Sequence, residues 1–168
     1  MTAKGHIALA LAPAIAYSHF FIHTYELKYI WLGSVVFGSL LPDIDEPNSY
    51  IGRRYSFLSI PLKLLGIKHR TFTHYLLFPL LILVIAFFVY NMYIKTILLG
   101  LAFGILMHDV GDMLTKGGIK GFLYPCCKEK VFRLLPKKYA FYTNSIQEWI
   151  IIVVLYLCDS YLLSIFRL

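Results

Sequence analysis

Residues 100–115 read Gly-Leu-Ala-Phe-Gly-Ile-Leu-Met-His-Asp-Val-Gly-Asp-Met-Leu-Thr and decide the fold. The stretch is apolar enough to lie in a membrane, yet its second half carries a histidine and two aspartates. In a helix, His108 and Asp112 share one face, and Gly100 and Gly104 continue that face, where small residues allow another helix to approach closely. Ionisable groups at membrane depth cost about 2.5–3.5 kcal/mol each on insertion scales. This face therefore predicts a functional site inside a helical bundle.

The composition of the 168-residue chain is that of an integral membrane protein. Hydrophobic residues make up 59% and charged residues 15% of the chain, whereas soluble domains carry about 25% charged residues. The formal net charge of +7 fits basic loops that face anionic lipid, and we expect no nucleic-acid partner. The length suits a single transmembrane helical domain, residues 1–168, of the all-α class.

Five apolar stretches predict about five membrane-spanning helices, over residues 6–22, 25–41, 75–94, 96–115 and 146–166. Residues 42–74 are polar, with an amphipathic piece over 57–67 that is suited to the membrane interface. Five spans put thirteen of the sixteen Lys and Arg residues on the side of the N-terminus; the other three are Lys28, Lys95 and Arg167. By the positive-inside rule, we expect the N-terminus and the polar ends near it to face the cytoplasm.

Eight ionisable residues from five separate stretches fall at the predicted cytoplasmic ends of these spans. We interpret them as ligands of a metal centre: His6, Asp43, Asp45, His69, His74, His108, Asp112 and Glu148. Imidazole and carboxylate ligands without thiolates suit Zn²⁺, with Mn²⁺ or non-haem iron as alternatives. Because eight candidates exceed one tetrahedral site, we expect two or three ions that share carboxylates.

Other polar residues nearby have candidate roles in catalysis. Asp43 or Asp45 could also act as the general base, and Arg70 could hold a phosphate group. The basic residues that flank the acidic site are Arg53, Arg54, Lys68 and Arg70, and the positive-inside rule alone would also explain them. The threonines that could orient the ligands by hydrogen bonds are Thr71, Thr73 and Thr115.

Several ordered motifs carry a resemblance to a known family. After an early His, they are LLPDIDEPNS, KHRTFTH and GILMHDVGDMLTKGGIKGFLYP, followed by a late Glu. Over residues 2–150 the chain resembles the YdjM-like family of inner-membrane proteins, which are described as metal-dependent hydrolases. The resemblance implies an inner-membrane location and hydrolysis at a membrane-embedded metal centre. Thr71 and Tyr75 stand where family members have Gly and Ser, while His69 and His74 are kept.

A more distant likeness, in the order of motifs, is to the zinc-dependent phospholipases C. Their His-x-x-x-Asp helix pair matches His108 and Asp112, and this likeness implies phosphoester hydrolysis. In a membrane protein the expected substrate is then a lipid headgroup. Two alternatives stay open: a cation or proton transporter that uses the same His/Asp set, and a structural membrane protein whose basic loops bind a cytoplasmic partner.

Overall fold

The computed structural model describes residues 1–66 and 69–166, and this part of the chain is mainly helical, as the all-α prediction requires. The α-helices are α1 (Ala3–Phe21), α2 (Tyr25–Gly38), α3 (Tyr50–Arg54), α4 (Ser56–Leu64), α5 (Leu77–Phe88), α6 (Met92–Met113) and α7 (Ile146–Phe166). Two 3₁₀ turns lie at Leu41–Asp45 and Phe72–His74, and β1 (Ile119–Lys120) pairs antiparallel with β2 (Val131–Phe132). The predicted roles of Lys68 and Arg167, and the end of the amphipathic piece at Ile67, lie outside the described residues.

Three helices in the described part of the chain are long and apolar enough to cross a membrane. They are α2 with its following turn (Tyr25–Asp45), α6 and α7. The other two predicted spans correspond to α1, which has 19 residues, and to α5, which has 12 residues. Twelve helical residues reach about 18 Å, which is less than the roughly 30 Å of a hydrocarbon core. The helix α5 alone is therefore too short to span the membrane.

The break between the third and fourth predicted spans lies earlier in the chain than the sequence suggested. We expected it at residue 95, but α5 ends at Phe88 and α6 begins at Met92. The reason is Asn91, whose side-chain oxygen accepts hydrogen bonds from the N–H groups of Tyr93 and Ile94 and caps α6. Asn is a strong N-cap residue, so the local signal was present in the sequence.

The helix α6 packs against α1, α2 and α5. A Cβ atom at Gly104 would lie 2.3 Å from the carbonyl oxygen of Val35, and one at Gly100 would lie 2.7 Å from the Cβ of Ser34. The prediction that these two glycines mark a close helix contact is confirmed, and α2 is the helix that they contact. The close approach brings the end of α2 against the polar second half of α6.

The directions in which the helices run place the polar ends of four of them at one end of the bundle. The helices α1 and α7 run in the same direction, because Gly5 lies near Glu148 and the ring of His19 stacks on Phe166 at 4.0 Å between centroids. The start of α1, the end of α2, the end of α6 and the start of α7 therefore meet at one end. The turn Phe72–His74, just before α5, joins them there.

We predict that Gly104→Ala destabilises the bundle by about 1–3 kcal/mol, because the added methyl must push backbone away from backbone. The matched control is Gly33→Ala on α2, where a Cβ would meet no atom within 4 Å. Thermal unfolding of the two variants in the same detergent measures the difference. Equal unfolding temperatures for both variants would mean that the α2–α6 contact is looser than described.

Candidate metal centre

The polar end of the bundle brings six of the eight predicted ligands into three overlapping groups. These groups are His6, Asp43 and His108; Asp43, His69 and His74; and His74, His108 and Asp112. In each group, one ligand atom from every residue lies within 4.8 Å of the others. Asp43, His74 and His108 each belong to two groups, so neighbouring ions could share them. A set of imidazoles and carboxylates of this kind suits zinc, manganese or iron.

The ring of His108 has its orientation fixed by the backbone. Its Nδ1 lies 2.7 Å from the carbonyl oxygen of Ser39, and only an N–H group can donate to that acceptor. The Nε2 atom of the neutral ring therefore carries the lone pair. It faces the cluster, 3.6 Å from Oδ1 of Asp43 and 3.8 Å from Oδ2 of Asp112.

The ring of His74 is fixed in the same sense by Thr73. The Thr73 hydroxyl donates its proton to Oδ2 of Asp45 at 2.8 Å, so it accepts from Nδ1 of His74 at 3.0 Å. Burial, reinforced by the neighbouring His108, lowers the pKa of His74 well below its usual value. The ring is then neutral near pH 7, and its Nε2 atom also presents a lone pair.

These two lone pairs face each other, since Nε2 of His74 lies 3.2 Å from Nε2 of His108. Two acceptors cannot hydrogen-bond to each other. A cation that both nitrogens bind resolves the conflict. Two nitrogens at 2.0–2.1 Å from a tetrahedral zinc ion are about 3.3 Å apart, which is close to the separation found here.

Other buried polar atoms in the cluster also lack partners. Both ring nitrogens of His6 and Oδ2 of Asp112 have no hydrogen bond. The His6 ring stacks on His108 with 3.6 Å between centroids, and its Nε2 lies 3.5 Å from Oδ1 of Asp112. A buried polar atom without a partner costs about 1–3 kcal/mol. Bound metal would satisfy Oδ2 of Asp112 and one ring nitrogen of His6, so the residues present fit the implied cofactor.

Asp45 holds His69 instead of facing the cluster. Its Oδ1 lies 2.8 Å from Nδ1 of His69, while Oδ2 accepts from Thr73. Burial disfavours the charged form of His69, but the hydrogen bond and negative charge of Asp45 outweigh it and raise the pKa. The other ring nitrogen of His69 faces Asp43 at 3.8 Å. Carboxylates that hold ligating imidazoles in this way are typical of metal sites.

Arg70 is occupied by contacts within the protein. One terminal nitrogen donates to Oδ1 of Asp112 at 2.8 Å, and the other to the Thr115 hydroxyl at 3.3 Å. The backbone of Arg70 is left-handed, with φ of 62°. A side chain at Gly117 would collide with the guanidinium, at 2.2 Å from Nη1. Arg70 therefore anchors Asp112, and its predicted role as a phosphate clamp stays a prediction.

Glu148 lies outside the three groups, although it is buried. Its Oε1 accepts from the N–H and the hydroxyl of Thr2 at 2.6 and 3.0 Å, and its Oε2 accepts from the N–H of Asn144. These contacts tie the start of α1 to the start of α7. A ligand role for Glu148 stays a prediction that its present hydrogen bonds do not favour.

Two features of the site had no clear signal in the sequence. Ser39 contributes its backbone carbonyl, which any residue could supply. Asp109 is buried with both oxygens unpaired, and its side chain belongs to none of the three groups. The orienting role expected of threonines did have a signal, and it stays a prediction: the Thr73 hydroxyl contacts the ring of His74, whereas the Thr115 hydroxyl contacts Arg70 and the backbone carbonyl of Asp112.

We predict that Thr73→Val lowers metal affinity about 10–100-fold, the usual cost of losing a residue that orients a ligand. Valine keeps the shape but leaves Nδ1 of His74 without an acceptor. Thr73→Ser is the matched control, because it retains the hydroxyl and should stay close to wild type. Metal titration with a competing chelator measures both affinities. Equal affinities for the two variants would remove Thr73 from the site.

The fold and the site together define a class: helical membrane proteins with a buried His/Asp cluster that could hold metal ions. The chain belongs to the YdjM inner membrane protein family, whose family model matches residues 1–166. It is thus an inner membrane protein, and the family resemblance seen in its motifs is confirmed.

Curated relatives agree with this assignment. The chain is 34% identical over 138 residues to "Inner membrane protein YdjM" of Escherichia coli (strain K12) and, equally, of Shigella flexneri. That alignment covers 75% of this chain and 66% of the relative, which is just under two thirds of its length. It is also 34% identical over 164 residues to "Uncharacterized protein YvsG" of Bacillus subtilis (strain 168), covering 96% of this chain and 93% of that protein. No solved structure matches the chain.

Proposed function

We propose that this protein is a metal-dependent hydrolase that cleaves a phosphoester in a membrane lipid headgroup. The observation that carries the proposal is the pair of opposed Nε2 atoms on His74 and His108, 3.2 Å apart. Two nitrogens fixed in this way, beside two carboxylates, suit a bound metal ion. The motif order shared with zinc-dependent phospholipases C supports phosphoester chemistry by analogy.

Six residues would hold the ions, and zinc suits them best: His6, Asp43, His69, His74, His108 and Asp112. Bound ions supply a nucleophilic water near neutral pH and stabilise negative charge on phosphoryl oxygens. Asp43 is the better candidate for the general base, because both oxygens of Asp45 are engaged by His69 and Thr73. The side chain of Asp43 is also 14% exposed, whereas that of Asp45 is fully buried.

We predict that Asp43→Asn lowers the hydrolysis rate per bound metal ion about 10²–10⁴-fold, the usual contribution of a general base. Some metal should remain, since the two groups that contain Asp43 each keep two candidate ligands and the third group keeps all three. The control is Glu46→Gln, a neighbouring acid that pairs with Lys63 at 3.5 Å instead of joining the cluster. Elemental analysis and phosphate release on the same samples give the ratio. An unchanged ratio for Asp43→Asn would exclude it as the base.

The first test uses the wild-type protein. Elemental mass spectrometry measures bound zinc, manganese and iron, and vesicles with labelled headgroups report the release of phosphate or phosphorylated headgroup. We expect at least one bound ion per chain, with release that stops after chelation and returns when metal is added. Protein that contains metal but releases neither product from any lipid would contradict the proposal.

One observation favours a second candidate, cation or proton transport through the same cluster. Asp159 on α7 is buried with both oxygens unpaired. It lies eleven residues beyond Glu148, so about 16 Å along the helix axis. A relay would use such a group deeper in the bundle. Metal-dependent cation uptake into sealed vesicles, without hydrolysis, would favour transport over the enzyme.

A further inference from the structure

A cavity of about 390 Å³ leads from the surface to the cluster. Asp43 forms part of its wall, so the cavity reaches the group that we propose as the base. Lys4, Arg53 and Trp149 also line it. The substrate would thus approach the metal centre between the start of α1, the short helix α3 and the start of α7.

Two basic side chains line the cavity without forming an ion pair to a described residue. In the described part of the chain, the lysines and arginines that pair with side-chain carboxylates are Lys63, Arg70 and Lys120. Lys4 and Arg53 thus line the cavity without an ion pair of their own, although Asp43 also forms part of its wall. The Lys4 ammonium lies 5.4 Å from the centre of the Trp149 ring. Arginine and lysine together suit a phosphate group, which arginine binds through two parallel hydrogen bonds.

An apolar groove continues from this cavity along α7. The groove has a volume of about 470 Å³, and its walls are Ile146, Trp149, Ile150, Val153 and Val154. Trp149 lines both spaces, so the cavity with Lys4 and Arg53 and the apolar groove share a boundary. Tryptophan is enriched at the level of lipid headgroups in membrane proteins. The two spaces together match a molecule with an anionic head and an apolar tail.

We propose that the occupant is an anionic phospholipid that enters sideways from the bilayer. Its phosphate lies between Lys4 and Arg53, and one acyl chain lies in the groove formed by Ile146, Ile150, Val153 and Val154. Trp149 marks the level at which head and tail join. This proposal rests on the proposed function, and it names the substrate class and the residues that select it.

Lipid binding tests the proposal independently of hydrolysis. The probe is fluorescent phosphatidic acid in detergent micelles, added to full-length protein treated with chelator; phosphatidylcholine and glycerol 3-phosphate are competitors. Arg53→Gln should weaken binding about tenfold or more, the size of one lost charge-assisted hydrogen bond. Val154→Trp fills the groove and should weaken binding to a similar extent. The matched controls are Arg54→Gln, outside the cavity, and Leu163→Trp, far along α7.

Each outcome decides between occupants. Loss of binding in both test variants, with both controls near wild type and phosphatidylcholine a weak competitor, supports an anionic lipid. Glycerol 3-phosphate competing as well as the lipid, with Val154→Trp unaffected, would indicate a soluble phosphate compound and overturn the proposal. A changed oligomeric mass for Val154→Trp, with lipid binding intact, would make the groove an interface between copies and also overturn it.

The same samples separate this proposal from the proposed function. Metal-loaded wild type that shows the expected binding pattern but releases no headgroup phosphate would leave the lipid site standing and contradict hydrolysis. Release of phosphate from soluble esters by a protein that does not bind phosphatidic acid would support phosphoester hydrolysis and overturn the lipid site.

Discussion

His108→Asn is expected to leave the helices folded and to reduce metal affinity by at least about 100-fold, the upper range for residues that only orient a ligand. The asparagine amide nitrogen lies close to the position of Nδ1, so it can still donate to the carbonyl of Ser39, which accepts from His108 at 2.7 Å. The group that is lost is Nε2, which faces His74, Asp43 and Asp112. Elemental analysis should find little metal, and phosphate release should fall in parallel.

The control for this variant is His23→Asn. His23 is exposed and lies at the opposite end of α1 from the cluster, so its replacement should change neither metal content nor unfolding temperature. Full metal content and activity in His108→Asn, with a native unfolding temperature, would remove the central residue of the site and with it the proposed function.

Glu148→Gln should give the opposite result, with bound metal retained and stability lost. The carboxylate accepts hydrogen bonds on both oxygens, from Thr2 on one side and from Asn144 on the other. A glutamine has one oxygen and one NH₂ group, so one of these N–H donors must face another donor. An unsatisfied buried donor costs about 1–3 kcal/mol. Unfolding in detergent, followed with metal content, measures both effects.

Glu26→Gln is the matched control, because Glu26 is exposed and its carboxylate accepts one hydrogen bond from a described residue, the hydroxyl of Tyr93 at 3.2 Å. It should unfold like wild type. Loss of metal from Glu148→Gln at unchanged stability would restore Glu148 as a ligand, as its position in the motif order suggested.

The parts of the site that the sequence predicted best lie on α6. His108 and Asp112 share a helix face because their spacing of four residues matches the helix period. Gly100 and Gly104 indicated a close neighbour because glycine in an apolar helix usually lies where the backbone of another helix approaches. These signals are local, so one helix was enough to interpret them. The all-α class followed from the length of the apolar stretches in the same way.

The parts that the sequence could not predict depend on long-range contacts. Asp43 and Asp45 lie in one short turn. Their roles differ only because Asp45 contacts His69 and Thr73, which lie 24 and 28 residues later in the chain. The sequence suggested that Arg70 is a free cation beside an acidic site, but its guanidinium donates a hydrogen bond to Asp112. Glu148 shows the same limit, since a carboxylate that ties two helices together has the same sequence pattern as one that binds metal.

The hydrogen bonds that His108 and His74 donate to Ser39 and Thr73 hold the Nε2 atoms of both rings in position without help from an ion. Small zinc domains, in contrast, fold only when metal binds. In this protein we expect the bundle to stay folded when no metal is bound. If the proposed function holds, removing the metal would stop hydrolysis reversibly, because the folded site could bind metal again.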